Sequence, residues 1–413
     1  MRHLTVRPML LAAVLLCGAC QPRAVNADAG GGATAGHVES RPPEGTGQQP
    51  AFAGQTRAPR LNSGHPYKTE VLARGLDHPW ALQFLPDGAM IVTERPGRMR
   101  LVSGNGSLSA PIGGVPPVVA REQGGLLDLA LDPDFARNHT LYFTFLEPRG
   151  GDDSGIALAR AELTQSGAIP QLDQVRVIFR AEPSTSDDKN VGSRVVVATD
   201  GTLFVTVGDR FSLKDKAQTL DNDLGKVVRL NKDGSIPRDN PFVGRAGARP
   251  EIWSYGHRNP EGAAINPADH RLWTIEHGPR GGDEINRPDP GKNYGWPVIT
   301  YGIDYNGMPI GQGITSHPGM EQPLYYWDPV IAPSGMTFYE GSLFPAWRGS
   351  LMVGGLRGKQ VARLTLQGTR ITGEERLLTE LNHRIRDVRS GPDGAIYVLT
   401  DETNGEIIKV LPK

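Results

Sequence analysis

Cysteine is almost absent from this sequence. The 413 residues hold two, Cys17 and Cys20, so everything after position 20 lacks disulfides and must be stabilised by packing, and by a metal if it holds one. A dominant charge is missing too. Lys and Arg number 44 against 45 Asp and Glu, a formal net charge of −1, which leaves no footprint for nucleic acid. The apolar run at 9–16 is too short to span a membrane, and no helical periodicity of useful length competes along the chain.

What is present begins with a leader. "MRHLTVRPMLLAAVLLCGACQ" places two arginines, an apolar run and small residues ahead of Cys20, the pattern of a secretory signal over 1–20. Gly18-Ala19-Cys20 resembles a bacterial lipobox, with Cys17 where leucine is usual. Lipidation at Cys20 would give export to the periplasm with an anchor in the outer membrane; the alternative is plain cleavage. A single acyl chain binds weakly, so firm anchoring needs further chains. From 21 to 62 the chain is rich in Gly, Ala, Pro and Gln with few large apolar residues. That composition cannot offset its own ordering entropy and reads as a flexible tether, followed by one globular domain over 63–413.

Glycine (52) and proline (34) are abundant, falling as punctuation between short apolar runs, which favours turn-rich β-structure. A motif recurs: a Pro-Asp-Gly-like turn, then a strand expected to be half buried. It appears as "LPDGAMIVTE" (85–94), "LDPDFARNHTLYFTF" (131–145), "ATDGTLFVTVGD" (198–209), "NPADHRLWTIE" (266–276), "FPAWRGSLMVGG" (344–355) and "GPDGAIYVLTD" (391–401). Six units, each too small to bury its own apolar face, predict an all-β fold, a six-bladed β-propeller. Ligands would bind in the funnel at one end of its channel. Four copies end in a carboxylate, Glu94, Asp209, Glu276 and Asp401; a carboxylate placed by a repeat is more often a structural cap than a catalyst.

Several clusters carry chemistry. In "REQGGLLDLALDPDF", Gln123 enters a strand and alone reads as a turn residue. "SYGHRNPEG" sets His257, Arg258 and Asn259 before a proline, as an anion clamp or a structural ion pair. "EHGPRGGDEIN" (276–286) is too polar and broken for a core element. Its turn carbonyls and carboxylates are the ligand set of a hard cation such as Ca²⁺. "GLRGKQVARL" contains Arg357. In "NHRIRDV", Arg384 and Arg386 share one face of a strand, and paired like charges repel unless an anion or carboxylate sits between them.

Together, "QGGLL", "GHRNPEG", "EHGPRGGDE", "APSG", "GLRGK" and "RIRD" resemble the soluble pyrroloquinoline quinone (PQQ) sugar dehydrogenases, the glucose/sorbosone dehydrogenase family, and its aldose sugar dehydrogenases most. The resemblance implies a six-bladed propeller that oxidises aldoses at C1 to lactones and passes electrons to a further acceptor. It implies a PQQ pocket lined by Gln123, Arg258, Asn259, Tyr305, Arg357, Arg384 and Arg386. It also implies a Ca²⁺ on the carbonyls of Gly278 and Pro279, and a second held by Glu284 and the Tyr294 carbonyl. Such a quinone carries three carboxylates, which the arginines would neutralise and orient.

In one place the resemblance breaks. The family removes the C1 hydroxyl proton with a histidine held by an aspartate; here Asp209 matches the aspartate, but the histidine position is Asn190. An amide is not a base near neutral pH. Three outcomes follow: another group takes the proton, with Asp188, His277 and His383 nearest in sequence; the substrate differs from an aldose; or the protein is a non-catalytic sugar- or quinone-binding lipoprotein. A Ca²⁺-dependent propeller lactonase is a further alternative, disfavoured because the arginines would repel its metal.

Overall fold

The computed structural model describes Met1, His3 and 33–413 apart from Ala168. The chain divides into two compact units, Met1–Gly30 and Gly31–Lys413. The second carries the fold; Cys17 and Cys20 of the leader lie outside the described residues.

The unit is a six-bladed β-propeller. Six strands, Pro79–Phe84, Leu126–Leu131, Gly192–Val197, Pro260–Ile265, Pro333–Phe338 and Ile385–Ser390, are the inner strands of six sheets. Each packs against the next around a ring that closes from the last onto the first. The ring is fastened by the two ends of the domain, because Tyr67–Leu76 pairs antiparallel with Gly405–Pro412 as the outer strand of the last blade. Closure of this kind leaves only short, protected edges.

The recurring motif builds the first turn and second strand of each blade. Asp87, Asp200 and Asp393 accept backbone N–H bonds two residues on, from Ala89 (3.0 Å), Thr202 (2.9 Å) and Ala395 (3.1 Å). Gly88, Gly201 and Gly394 supply the left-handed residue at φ +85°, +82° and +82°. The strands that follow are not half buried as expected. Met90–Glu94, Leu203–Val207, Leu272–Glu276, Leu351–Gly355 and Ile396–Thr400 are buried along their whole length, because both faces of a blade are covered by its neighbours.

Below the funnel the channel is filled by charge. The Arg194 side chain is buried and reaches Asp128 (3.0 Å) and Asp387 (3.3 Å). It also donates to the Glu261 carbonyl (2.6 Å) and stacks over Trp80 at 4.2 Å. Neutralised and hydrogen-bonded together, these groups escape the cost of isolated buried charge. Inner strands from separate blades are thereby tied at the axis.

The segment read as a tether is, from about Gly36, a strap fixed to the propeller. Pro59–Leu61 joins the outer edge of the blade containing Arg370–Leu377. Gln55 is buried and donates to the Pro323 carbonyl at 2.9 Å. The N–H groups of Glu44 and Gly45 donate to the two carboxylate oxygens of Asp328 at 2.8 and 3.0 Å. Composition misleads here because the strap buries little apolar surface; long-range polar contacts hold it. Asp328→Ala should therefore lower stability by about 2 kcal/mol, the usual worth of bonds to a charged acceptor, and expose 36–61 to protease. An unchanged urea midpoint together with undiminished protease resistance would refute the strap's role.

Candidate active site

At the mouth of the funnel two cavities share a wall. One, of about 370 Å³, is lined by Asn190, Asp209, Arg258, Pro279, Trp296 and Tyr305, among others. The other, of about 450 Å³, is lined by Gln123, His277, Arg384, Arg386 and Asp401 with their neighbours. The wall is stitched by two hydrogen bonds: the Asn190 N–H donates to Gln123 Oε1 (2.7 Å), and Arg258 Nη1 donates to the His277 carbonyl (3.0 Å).

Asp209 is the centre of the first cavity. It stands two residues past the second strand of its blade, Leu203–Val207, and has no accessible surface of its own. Its Oδ1 accepts from Asn190 Nδ2 (2.9 Å) and the Phe211 N–H (2.8 Å), and its Oδ2 from Trp296 Nε1 (2.7 Å). Burial pushes its carboxyl above the usual range, while the Arg258 charge and these donors pull the other way. Asn190 holds a left-handed backbone (φ 47°), a conformation asparagine tolerates better than most residues. Sequence reasoning paired Asn190 with Asp209, but Trp296, 87 positions from Asp209, carried no local signal of its part.

Arg258 crosses the cavity roof. Beyond His277 it donates to the Gly278 carbonyl (3.0 Å) and the Tyr305 hydroxyl (3.2 Å), and its guanidinium lies 5.2 Å from the Trp296 ring centroid. Tyr305 is 59% exposed and faces Phe211 at 6.4 Å, a pair of rings at the entrance. The neighbouring His257, by contrast, is structural. It is buried between Ser254 (2.8 Å) and Glu276 (3.0 Å) and stacks on Tyr294 at 4.8 Å.

In the second cavity Arg384 and Arg386 do share a face, and what separates their charges is a carboxylate. Asp401 Oδ2 accepts from both at 3.1 Å, and Arg386 also donates to Glu261 at 2.6 Å. Burial acts against ionisation of Asp401, yet the two arginines outweigh it and hold its carboxyl well below the usual range.

Two expected members of the pocket stand elsewhere. Asn259 is fully buried behind the wall, accepting from the Gly192 N–H (2.9 Å) and donating to Glu261 (3.0 Å). Arg357 is exposed, its N–H bonded to the Ile331 carbonyl (3.0 Å), while Leu356 before it faces the cavity. Both residues lie in the turn that follows Leu351–Gly355, where the buried Leu356 takes the place on the cavity wall.

The proposed metal ligands divide in the same way. Glu284 lies directly across the strand pair from Glu276. Burial, then the Glu276 charge, raise its carboxyl well above the usual range, and Asn286 Nδ2 is its hydrogen-bond donor at 3.1 Å. Glu276 is satisfied by His257, the Arg258 N–H and Asn286; Glu284, facing it with one donor, is the carboxylate that suits a hard cation. The Gly278 carbonyl already serves a cation, because Arg258 holds it; Ca²⁺ bound there would displace that guanidinium. Tyr294 is fixed by its N–H to the Tyr255 carbonyl (2.8 Å). No cluster of three acidic, histidine or cysteine side chains suited to a metal occurs among the described residues, so backbone oxygens would have to complete any cation site.

Residues 76–409 match the family model for glucose/sorbosone dehydrogenase. The chain belongs to that family. Among its relatives, the aldose sugar dehydrogenase YliI of Escherichia coli K12 is 46% identical over 346 residues, 83% of this chain and 92% of that one. A crystal structure of a glucose dehydrogenase superposes with a TM-score of 0.80 at 48% identity, covering 83% of this chain and 99% of the other. The PQQ-bound form of an aldose sugar dehydrogenase from Streptomyces coelicolor gives 0.68 at 28% identity, covering 84% and 99%. The family membership accounts for the fold and for the order of the motifs around the funnel.

Proposed function

We propose that the protein is a sugar dehydrogenase that oxidises an aldose at C1 to the lactone, using PQQ and Ca²⁺. The observation that carries this reading is the paired cavity: a buried carboxylate, Asp209, on one side of a wall held by Arg258, and a recess with three arginines on its walls on the other. The PQQ-bound relative supports the cofactor by likeness. When bound, the quinone supplies a two-electron acceptor and Ca²⁺ a Lewis acid.

The chain's own residues supply the rest. Arg258, Arg384 and Gln123 orient an anionic planar ligand, and the Phe211 and Tyr305 rings flank the sugar's entry. As hydride leaves C1, the hydroxyl proton needs an acceptor. Asp188 is occupied by Arg121 (2.7 Å) and Ser154 (2.6 Å), and His383 by Glu402 (2.7 Å); His277 lines the other cavity. Asp209 is the base we assign: its oxygens are also hydrogen-bonded, but by uncharged donors and not by a salt-bridge partner, and its burial favours proton uptake. A binding protein without turnover is the second reading, favoured by Asn190 alone.

Titrating the purified protein with PQQ and Ca²⁺ while following quinone absorbance tests cofactor uptake. Adding aldoses and an artificial electron acceptor then separates enzyme from binder. Absence of uptake sinks the dehydrogenase. The cation has its own test: Ca²⁺ at a hundredfold excess over its Kd should stabilise the protein by about 2.7 kcal/mol, and Glu284→Gln should remove most of that gain. Equal Ca²⁺-induced shifts in both proteins would rule Glu284 out as a ligand. The leader further suggests export, with a lipid on Cys20; mass spectrometry of the mature N-terminus decides that point.

A further inference from the structure

The second cavity has three arginines on its walls, Arg95, Arg384 and Arg386. Two are already neutralised: Arg386 by Glu261 and Asp401, Arg384 by the same Asp401 oxygen. Arg95 has no carboxylate partner among the described residues. Its side chain makes one hydrogen bond, from Nη1 to the Glu122 backbone carbonyl, which leaves most of its five donors unused. Its position is nevertheless fixed by the backbone. The Arg95 N–H donates to the His78 carbonyl (3.1 Å), and the Arg95 carbonyl accepts from Leu126 (2.9 Å). At Gly125 a Cβ would fall 2.1 Å from that carbonyl, so the two turns meet too closely for any side chain between them.

A partly buried guanidinium on a rigid turn, beside Gln123 and without a counter-charge, is arranged to receive an anion from outside the chain. We propose that Arg95 binds a carboxylate of the tricarboxylic quinone, in the role the sequence resemblance gave to Arg357. This rests on the PQQ reading and adds to it a residue that none of the recognised motifs contains. It also answers a charge problem. Glu122, Glu261 and Asp401 line the same cavity and match its three arginines in number, so binding a trianion depends on a cation that can change partners without stranding a buried carboxylate. Arg95 can do so; Arg386 cannot.

The test uses the full chain and follows PQQ uptake by quenching of tryptophan fluorescence. Arg95→Met should weaken PQQ binding about 10- to 100-fold, the range of one charge-assisted hydrogen bond, and Arg95→Lys should recover most of it. PQQ trimethyl ester serves as the control ligand. The unmodified protein should prefer acid to ester strongly, and Arg95→Met should lose about the same factor in that preference. Equal affinity of Arg95→Met and the unmodified protein for PQQ overturns the proposal. So does an equal loss for acid and ester, which a merely structural lesion would produce. Failure of the unmodified protein to take up PQQ at all overturns the cofactor reading itself, and is thus distinguishable.

Discussion

Asn190→His is expected to raise dye-linked aldose oxidation at least about tenfold, as an imidazole base placed beside Asp209 should. Asn190 already points its Nδ2 at Asp209 Oδ1, 2.9 Å away. An imidazole in its place can aim one ring N–H at the same oxygen and leave the other nitrogen as proton acceptor. The backbone there is left-handed, and histidine is among the residues found in that region more often than most. A positioned base is commonly worth about 10²- to 10⁴-fold. A gain that can fall below that range is expected because Asp209 already serves as the base and stays held by Trp296 and Phe211, and the larger ring must fit beside Gln123. Activity of the variant should rise with pH through the ordinary histidine range, about 6 to 7. An unchanged or lower rate, without that rise, would mean the site does not use a base at position 190.

Much of this arrangement was legible from residues close together in the chain, and little of it from residues far apart. The Asp-Gly turns announce each blade because their chemistry is complete within four residues. Asn190 and Asp209 could be paired only through the family resemblance, which matches them to a histidine and the aspartate that holds it. The carboxylates ending the repeats sort as their periodic placement suggested. Glu94 accepts from the Asp77 N–H at 2.6 Å, Glu276 from that of Arg258 at 2.6 Å, and Asp401 separates two arginines; Asp209 is the one in the first cavity. Trp296 and Arg95 went unseen because their roles arise where separate blades or turns converge. Arg357 was misplaced for a local reason, since the sequence does not reveal which way a loop side chain turns. The strap failed differently: its composition resembles a tether, and its anchor, Asp328, lies 284 residues from Glu44.

Arg258→Met should act on the two bound partners in opposite directions. For an anionic planar ligand, it removes a guanidinium that stacks on Trp296 and faces Tyr305. Two charge-assisted hydrogen bonds at about 1.5–3 kcal/mol each place the loss of PQQ affinity at about 10²-fold or more. For Ca²⁺ at the turn carbonyls, the same change removes a competitor. Arg258 Nη1 now holds the Gly278 oxygen at 3.0 Å, and the guanidinium charge beside that oxygen repels a divalent ion. Without Arg258, Ca²⁺ binding measured in the absence of PQQ should become tighter, while PQQ binding measured at saturating Ca²⁺ becomes weaker. Asp209 should shift as well, because Arg258 is the strongest influence lowering its pKa against burial; its carboxyl moves further up when that charge is gone. Should both ligands weaken together, the Gly278 carbonyl is not a calcium ligand, and Arg258 serves to hold the wall between the cavities.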